Sequence, residues 1–262
     1  MNLSLAGRRA LVCGSTQGIG RAAAVEIAAL GARVTLMARN EGGLREAREA
    51  LPVVGSVSHD FAIADFTRPD EVRRTVEKLV AAGDVIHILV NNTGGPPGGP
   101  AHEADTDAYT AAFSQHLVCN QILVQTLIPG MKSARFGRII NIISTSVKQP
   151  IRGLGVSNTI RGAVASWAKT LATELGPFGI TVNNVLPGAS RTGRLGSIIA
   201  ARARASGRTE ADITAEMIAE IPAGRISDPE EVAAAVAFLA SPAASFINGI
   251  NMPVDGGRTG SL

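Results

Sequence analysis

Apolar residues along the chain fall into two alternating patterns. Short apolar runs at 9–13 (RALVC), 33–37 (RVTLM), 85–90 (VIHILV), 138–143 (RIINII), 180–186 (ITVNNVL) and 249–254 predict strands. Between them, apolar positions recur every three or four residues over 20–30, 43–50, 69–82, 105–131, 157–175 and 229–239, which predicts helices. Strand then helix, repeated, predicts a parallel sheet covered on both faces. Right-handed crossovers make such an α/β sheet doubly wound. No internal repeat and no dividing linker interrupts the pattern, so one domain spanning 1–262 is expected. Two segments lack either period: the Gly/Pro-rich stretch 92–100 (NTGGPPGGP) and residues 191–225. Both follow strand C-terminal ends, where open α/β sheets bind ligands. The second contains Gly193, Gly196, Gly207 and a helical stretch over 213–221, which suits a lid over a substrate.

Composition narrows the function classes. Of 262 residues, 45% are hydrophobic and the net charge is only +3, which excludes a disordered chain. Basic residues are dispersed; the densest group, Arg202, Arg204 and Arg208, is followed at once by Glu210 and Asp212. With no basic stripe and few stacking aromatics, nucleic acid is not an expected partner. No apolar run reaches the ~18–20 residues needed to cross a bilayer, so no membrane association is expected. Cys13 and Cys119 match no metal or disulfide spacing and read as buried reduced thiols of a cytoplasmic protein without a metal. The chain has one Trp (Trp167) and one Tyr (Tyr109), so a mechanism that needs a phenol must find it at Tyr109.

The first predicted strand runs into Gly14-Ser15-Thr16-Gln17-Gly18-Ile19-Gly20 and then a helix. Glycines there permit a tight turn and close approach of a pyrophosphate, and the helix N-terminus offers free N–H groups and partial positive charge. The spacing Gly-x-x-x-Gly-x-Gly resembles that of the short-chain dehydrogenase/reductase family. Asn91-Asn92-Thr93-Gly94, Pro187-Gly188 with Thr192, and Val254-Asp255-Gly256-Gly257 are similar to three further motifs of that family, in the same order. The resemblance covers nearly the whole chain. It implies a Rossmann-like fold, a bound nicotinamide dinucleotide, a small-molecule substrate, and a homotetramer or homodimer formed through the helices at 105–131 and 157–175. It also implies that Gly14, Gly18, Ile19 and Gly20 surround the pyrophosphate, with Ser15, Thr16 and Gln17 in the same loop. By the same resemblance Asp65 meets the adenine, Asn91 the adenosine side and Thr192 the carboxamide, with Thr93, Gly94, Pro187 and Gly188 in the flanking motifs. The second strand ends Met37-Ala38-Arg39-Asn40 with no acid before Glu41. A carboxylate there would suit a bare ribose diol, whereas the Arg39 guanidinium favours NADP(H) over NAD(H).

At the catalytic positions the family pattern breaks. The family uses Tyr and Lys four residues apart on one helix face, a Ser thirteen before the Tyr, and an Asn in the preceding long helix. Counting back from Lys169-Thr170-Leu171-Ala172 and forward from Ser144 assigns Ser157 and Arg161 to the Tyr and Lys positions. Counting from Tyr109 and Met131 assigns His116 to the Asn position. Only Ser144 is retained; Tyr109 reads as a packing residue, and neither Lys148 nor Lys169 has the spacing to substitute. Arg161 stays protonated, so it can clamp ribose hydroxyls or a carboxylate but cannot relay protons. His116, with a reference pKa near ~6.5, is suited to proton traffic near neutrality or to a structural hydrogen bond. Three readings follow: an NADP(H)-dependent reductase of an activated carbonyl, enone or imine with an atypical active site; a silent dinucleotide-binding scaffold; and a non-redox lyase or isomerase. Arg152, Arg191 and Arg194 lie in segments that line the family's pocket and read either as contacts to an acidic substrate group or as solvated lid arginines.

Overall fold

The computed structural model describes residues 1–83 and 85–261. Strands β1 (Arg9–Cys13), β2 (Arg33–Ala38), β3 (Asp60–Ile63), β4 (Ile88–Asn91), β5 (Gly137–Ile142), β6 (Ile180–Pro187) and β7 (Asn251–Val254) form one parallel sheet in the order β3-β2-β1-β4-β5-β6-β7. The chain leaves β1 toward β2 on one side and later returns to β4 on the other, so the order reverses between β1 and β4. That reversal opens a crevice at the strand C-terminal ends.

The central strands β1, β4 and β5 are buried on both faces, yet alternation still decides where their side chains go. In β1, Ala10 and Val12 join a core with α1 (Gly18–Ala29), α2 (Glu41–Glu49) and α9 (Pro229–Ala240), whereas Leu11 and Cys13 join one with α3 (Pro69–Ala81), α5 (Cys119–Ser133) and α6 (Gly155–Leu175). The two thiols are free and buried; Cys119 Sγ donates to Phe66 O at 3.3 Å, and burial pushes both thiols above their ordinary range, Cys119 to about 11.

The sheet has one strand more than the apolar runs predict. β3 is a short edge strand with no fully buried residue, so it carries no continuous apolar run. The run at 85–90 becomes strand only from Ile88, with His87 Nδ1 accepting the Arg9 N–H beside it. The helix expected over 105–131 is α4 (Thr106–Phe113) and α5 joined by a π-helical turn, Ser114–Val118. Residues 191–225 are not irregular. They form α7 (Gly193–Ser206) and α8 (Glu210–Ala219), whose Leu195, Ile199, Ala203, Ile213 and Met217 make a small core of their own with Ile226. Among the described residues, no helix is long and apolar enough to cross a membrane.

Candidate active site

The crevice is a cleft of about 460 Å³. Its floor on the β1 side is the glycine loop. Gly14 and Gly18 hold φ of +58° and +55°, the left-handed region that favours glycine. A Cβ at Gly14 would lie 2.6 Å from Asn92 O, and one at Gly20 would lie 2.2 Å from Gly14 O. Space exists there only for hydrogen. Asn92 Nδ2 donates to Gly14 O at 3.1 Å and Cys13 O at 3.4 Å, stapling the loop to the segment after β4. Gln17, the residue before α1, makes no side-chain capping bond, so α1's first-turn N–H groups are left for a ligand.

The other strand ends complete the walls. Arg39 is exposed immediately after β2, and Asp65, beyond β3, faces it across the cleft mouth. Asp65 Oδ1 accepts Thr67 N and Oγ1, both at 2.9 Å; the backbone bond, helped by the Thr67 hydroxyl and by Arg39 and Arg68, holds its carboxyl below the usual range. Glu41, the nearest acid after Arg39, is occupied by Arg45 at 2.9 Å. Thr192 caps α7, accepting Leu195 N at 3.3 Å, and its methyl lies over Gly18. The Gly/Pro segment is pinned rather than free: Gly99 pairs with Leu154 in a parallel bridge, and Gln115 Nε2 donates to Gly94 O at 3.4 Å.

Ser144 follows β5 and lines the cleft with its oxygen accepting Ser146 N at 3.1 Å, which leaves the hydroxyl proton available to a ligand. Ser157 and Arg161, one turn apart on α6, also line the cleft, and both are buried. Arg161 donates from Nη1 to Ile142 O at 3.2 Å and has no carboxylate partner among the described residues. Burial, then Arg194, lowers its pKa to about 10, so it stays a cation at neutral pH.

Of the residues expected at the site, Gly14, Thr16, Gln17, Gly18, Ile19, Arg39, Asp65, Thr93, Gly94, Ser144, Ser157, Arg161, Pro187, Gly188 and Thr192 line this cleft. Ser15, Gly20, Asn91 and His116 stand behind its wall and are buried. Asn91 belongs instead to a ladder across four strands: Asn91 Nδ2 to Asn141 Oδ1, Asn141 Nδ2 to Asn184 Oδ1, and Asn184 Nδ2 to Asn251 Oδ1, each 2.8 Å. Its neighbour Asn92, which faces the other way, is the one at the cleft. His116 sits in the π-helical turn with Nδ1 2.6 Å from Thr93 Oγ1 and Nε2 without a partner among the described residues. Burial, reinforced by Arg161 and Arg194, lowers its pKa to about 2. It is therefore neutral near pH 7, and the proton traffic expected from its reference pKa is corrected by its surroundings. Tyr109 packs with Ala112, Val156 and Ile160 and its hydroxyl donates to Ala101 O at 3.3 Å, outside the cleft. Arg194 lines the cleft, whereas Arg191 is tied to Asp228 at 2.8 Å and, like Arg152, does not line it.

Comparison with known proteins agrees with this geometry. A family model described as Enoyl-(Acyl carrier protein) reductase matches residues 14–259. The chain is 30% identical to the 3-oxoacyl-[acyl-carrier-protein] reductase of Vibrio cholerae, over 97% of this chain and 98% of that one. It is 30% identical to the cyclohexanol dehydrogenase of Rhodococcus sp., covering 98% of each. The L-sorbose reductase of Gluconobacter frateurii, solved with NADPH and L-sorbose, superposes with a TM-score of 0.92 at 29% identity over 100% of both chains. With a seven-stranded parallel sheet, a glycine cradle at its switch point and these relatives over its full length, the chain belongs to the short-chain dehydrogenase/reductase family of oxidoreductases.

Proposed function

We propose that the protein is an NADP(H)-dependent reductase of an activated carbonyl, enone or imine that works without the tyrosine and lysine its relatives use. The observation that carries the reading is the joint presence, in one cleft, of a glycine cradle and two hydrogen-bond donors to oxygen, Ser144 and Arg161. A cradle with room only for hydrogen fits a pyrophosphate, and the L-sorbose reductase complex with NADPH supports the same choice of cofactor. Gly14, Thr16, Gln17, Gly18 and Ile19 would hold the pyrophosphate, with Ser15 and Gly20 shaping the loop from behind. Asp65 would meet the adenine, and Arg39 the 2′-phosphate, with Glu41 paired to Arg45. Thr93, Gly94, Pro187, Gly188 and Thr192 would bound the nicotinamide half. Asn91 would act on the site indirectly, through the four strands its ladder ties together. When bound, the cofactor supplies a hydride to the substrate carbon.

The chain's own residues would then stabilise charge on oxygen. The Ser144 hydroxyl donates to the acceptor oxygen, its lone pair already engaged by Ser146 N–H, and the Arg161 cation lies on the same wall. Arg161, in the position a lysine would take, would also hold ribose hydroxyls. His116 is too far from protonation to act as an acid at neutral pH; it orients the Thr93 hydroxyl. The product oxygen takes its proton from water, which is why substrates with a stabilised anion, or an iminium that needs no proton, suit this site. The helices α7 and α8 would close over the substrate as one lid with its own small core.

A single-turnover NADPH oxidation assay against ketones, enones and imines tests the reading. Oxidation with at least one class, lowered about 10²- to 10³-fold in Ser144→Ala, is expected. Tight NADPH binding with no oxidation across the panel would favour the scaffold. Conversion without NADPH loss would favour a lyase or isomerase.

A further inference from the structure

Charge in the cleft is unevenly distributed. Asp65 is the one carboxylate among the described residues lining it, and it lies beyond β3 beside Arg39. On the other side of the switch point, around β5, α6 and α7, the lining carries Arg161, Arg194 and Arg202 and no acid. Arg161 is only 8% exposed, and among the described residues none of the three has a carboxylate partner. Arg194 donates from Nη2 to Pro96 O at 2.6 Å, which holds its guanidinium over Gly95 at the rim, and Arg202 lies two turns further along α7. The other arginines of the region are spoken for: Arg191 by Asp228 and Arg258 by Glu220. A buried guanidinium without a counter-charge is expensive to keep. Neither phosphate-binding end of the cleft accounts for it, since the glycine loop lies at β1 and Arg39 at β2. Between the arginines the walls are apolar, with Ile143, Leu154, Leu195, Ile198 and Met217.

We infer that the substrate of this site is a carboxylic acid with an apolar body, its carboxylate held by Arg194 at the rim with Arg161 and Arg202 supplying the surrounding positive field. The inference rests on the reading of the cleft as a substrate site but not on NADPH being its cofactor. A guanidinium matches the two oxygens of a carboxylate edge-on, and the apolar walls take the rest of the molecule. The same contacts fix the register of the substrate, turning its reducible carbon toward Ser144. Arg161 then has two neighbours, the substrate anion and the ribose, and its cationic state serves both.

The test uses three non-reducible probes with one apolar body: 3-phenylpropanoate, 3-phenylpropanamide and 2-phenylethyl phosphate. Each is titrated by calorimetry into the free protein and the NADPH-loaded protein. The carboxylate is expected to bind at least about tenfold more tightly than the amide and the phosphate, with an affinity that falls as salt rises. Arg194→Gln is expected to lose about tenfold for the carboxylate and nothing for the amide, with NADPH affinity retained. Arg204→Gln, an exposed charge on the same helix outside the cleft, is expected to change neither. Equal binding of acid and amide, an Arg194→Gln protein that binds the acid as wild type does, or tighter binding of the phosphate would each overturn the assignment. Carboxylate binding without NADPH binding would leave this inference standing and remove the proposed cofactor; NADPH binding without carboxylate binding would do the reverse.

Discussion

His116 illustrates how far an environment moves a side chain from its reference chemistry. Buried beside two guanidinium groups, it stays neutral in the folded protein down to about pH 2, whereas in the unfolded chain it protonates near ~6.5. Below pH 6.5 the unfolded state therefore binds more protons, so this residue's contribution is fully present above that value and is lost as pH falls toward 2. Between pH 7 and 5 the loss is roughly 2 kcal/mol. Thermal unfolding of wild type and His116→Gln across that range is expected to show a steeper acid-side decline in wild type; parallel curves would contradict it. Gly14 is constrained by geometry alone. Gly14→Ala places a Cβ against Asn92 O at a positive φ, so a stability loss of about 1–3 kcal/mol and at least about tenfold weaker NADPH binding are expected by thermal unfolding and fluorescence titration. At Arg39 the sign of the charge decides. Arg39→Asp is expected to weaken NADPH by about 10²-fold and to spare or improve NADH, and unchanged NADPH affinity would remove the 2′-phosphate role. Spacing in the sequence located the glycine loop and Arg39 because both depend on local backbone and residue type. It did not separate Asn91 from Asn92, since β4 ends between them and a motif of two asparagines does not say which one meets the cleft.

Between strands, the asparagine ladder ties together β4, β5, β6 and β7, from Asn91 at the end of β4 to Asn251 at the start of β7. Asn141→Ala would strand the Asn91 donor and the Asn184 acceptor at once, at a cost of about 2–5 kcal/mol, read as a fall in Tm of about 5–15 °C. A change within a degree or two would mean that water or relaxation replaces the ladder. The ladder is invisible in any one strand and exists only in the register Asn91–Asn141–Asn184–Asn251. The elements the sequence hid have comparable reasons. β3 pairs along one edge only and exposes half its residues, so its pattern resembles a loop. α7 begins at Gly193 and includes Gly196, and its apolar stripe of Leu195, Ile199 and Ala203 is thin because it packs on α8 rather than on the sheet. That separate core predicts independent opening. Met217→Ala is expected to raise hydrogen exchange across 193–219 while leaving exchange in β1, β4 and β5 unchanged.

On the scale of the molecule, the alternation of strand and helix dictates the parallel sheet, and the sheet's reversal between β1 and β4 dictates where the cleft lies. One side of that switch carries the glycine loop, Arg39 and Asp65; the other carries Ser144, Ser157, Arg161 and the α7 arginines. The fold was legible because hydrophobic period and strand order are collective properties of many residues. The protonation state of His116 was not, because it depends on burial and charge around one residue. The account predicts hydride transfer at a site that has donors to oxygen but no phenol. Its most direct test is single-turnover reduction with NADPH carrying deuterium at C4 of the nicotinamide, followed by mass spectrometry of the product. One deuterium on the acceptor carbon of an activated carbonyl, enone or imine, with stoichiometric NADPH loss and near-absence of both in Ser144→Ala, is the result predicted. Bound NADPH that delivers no deuterium to any of these acceptors, or product formed without it, would contradict the account.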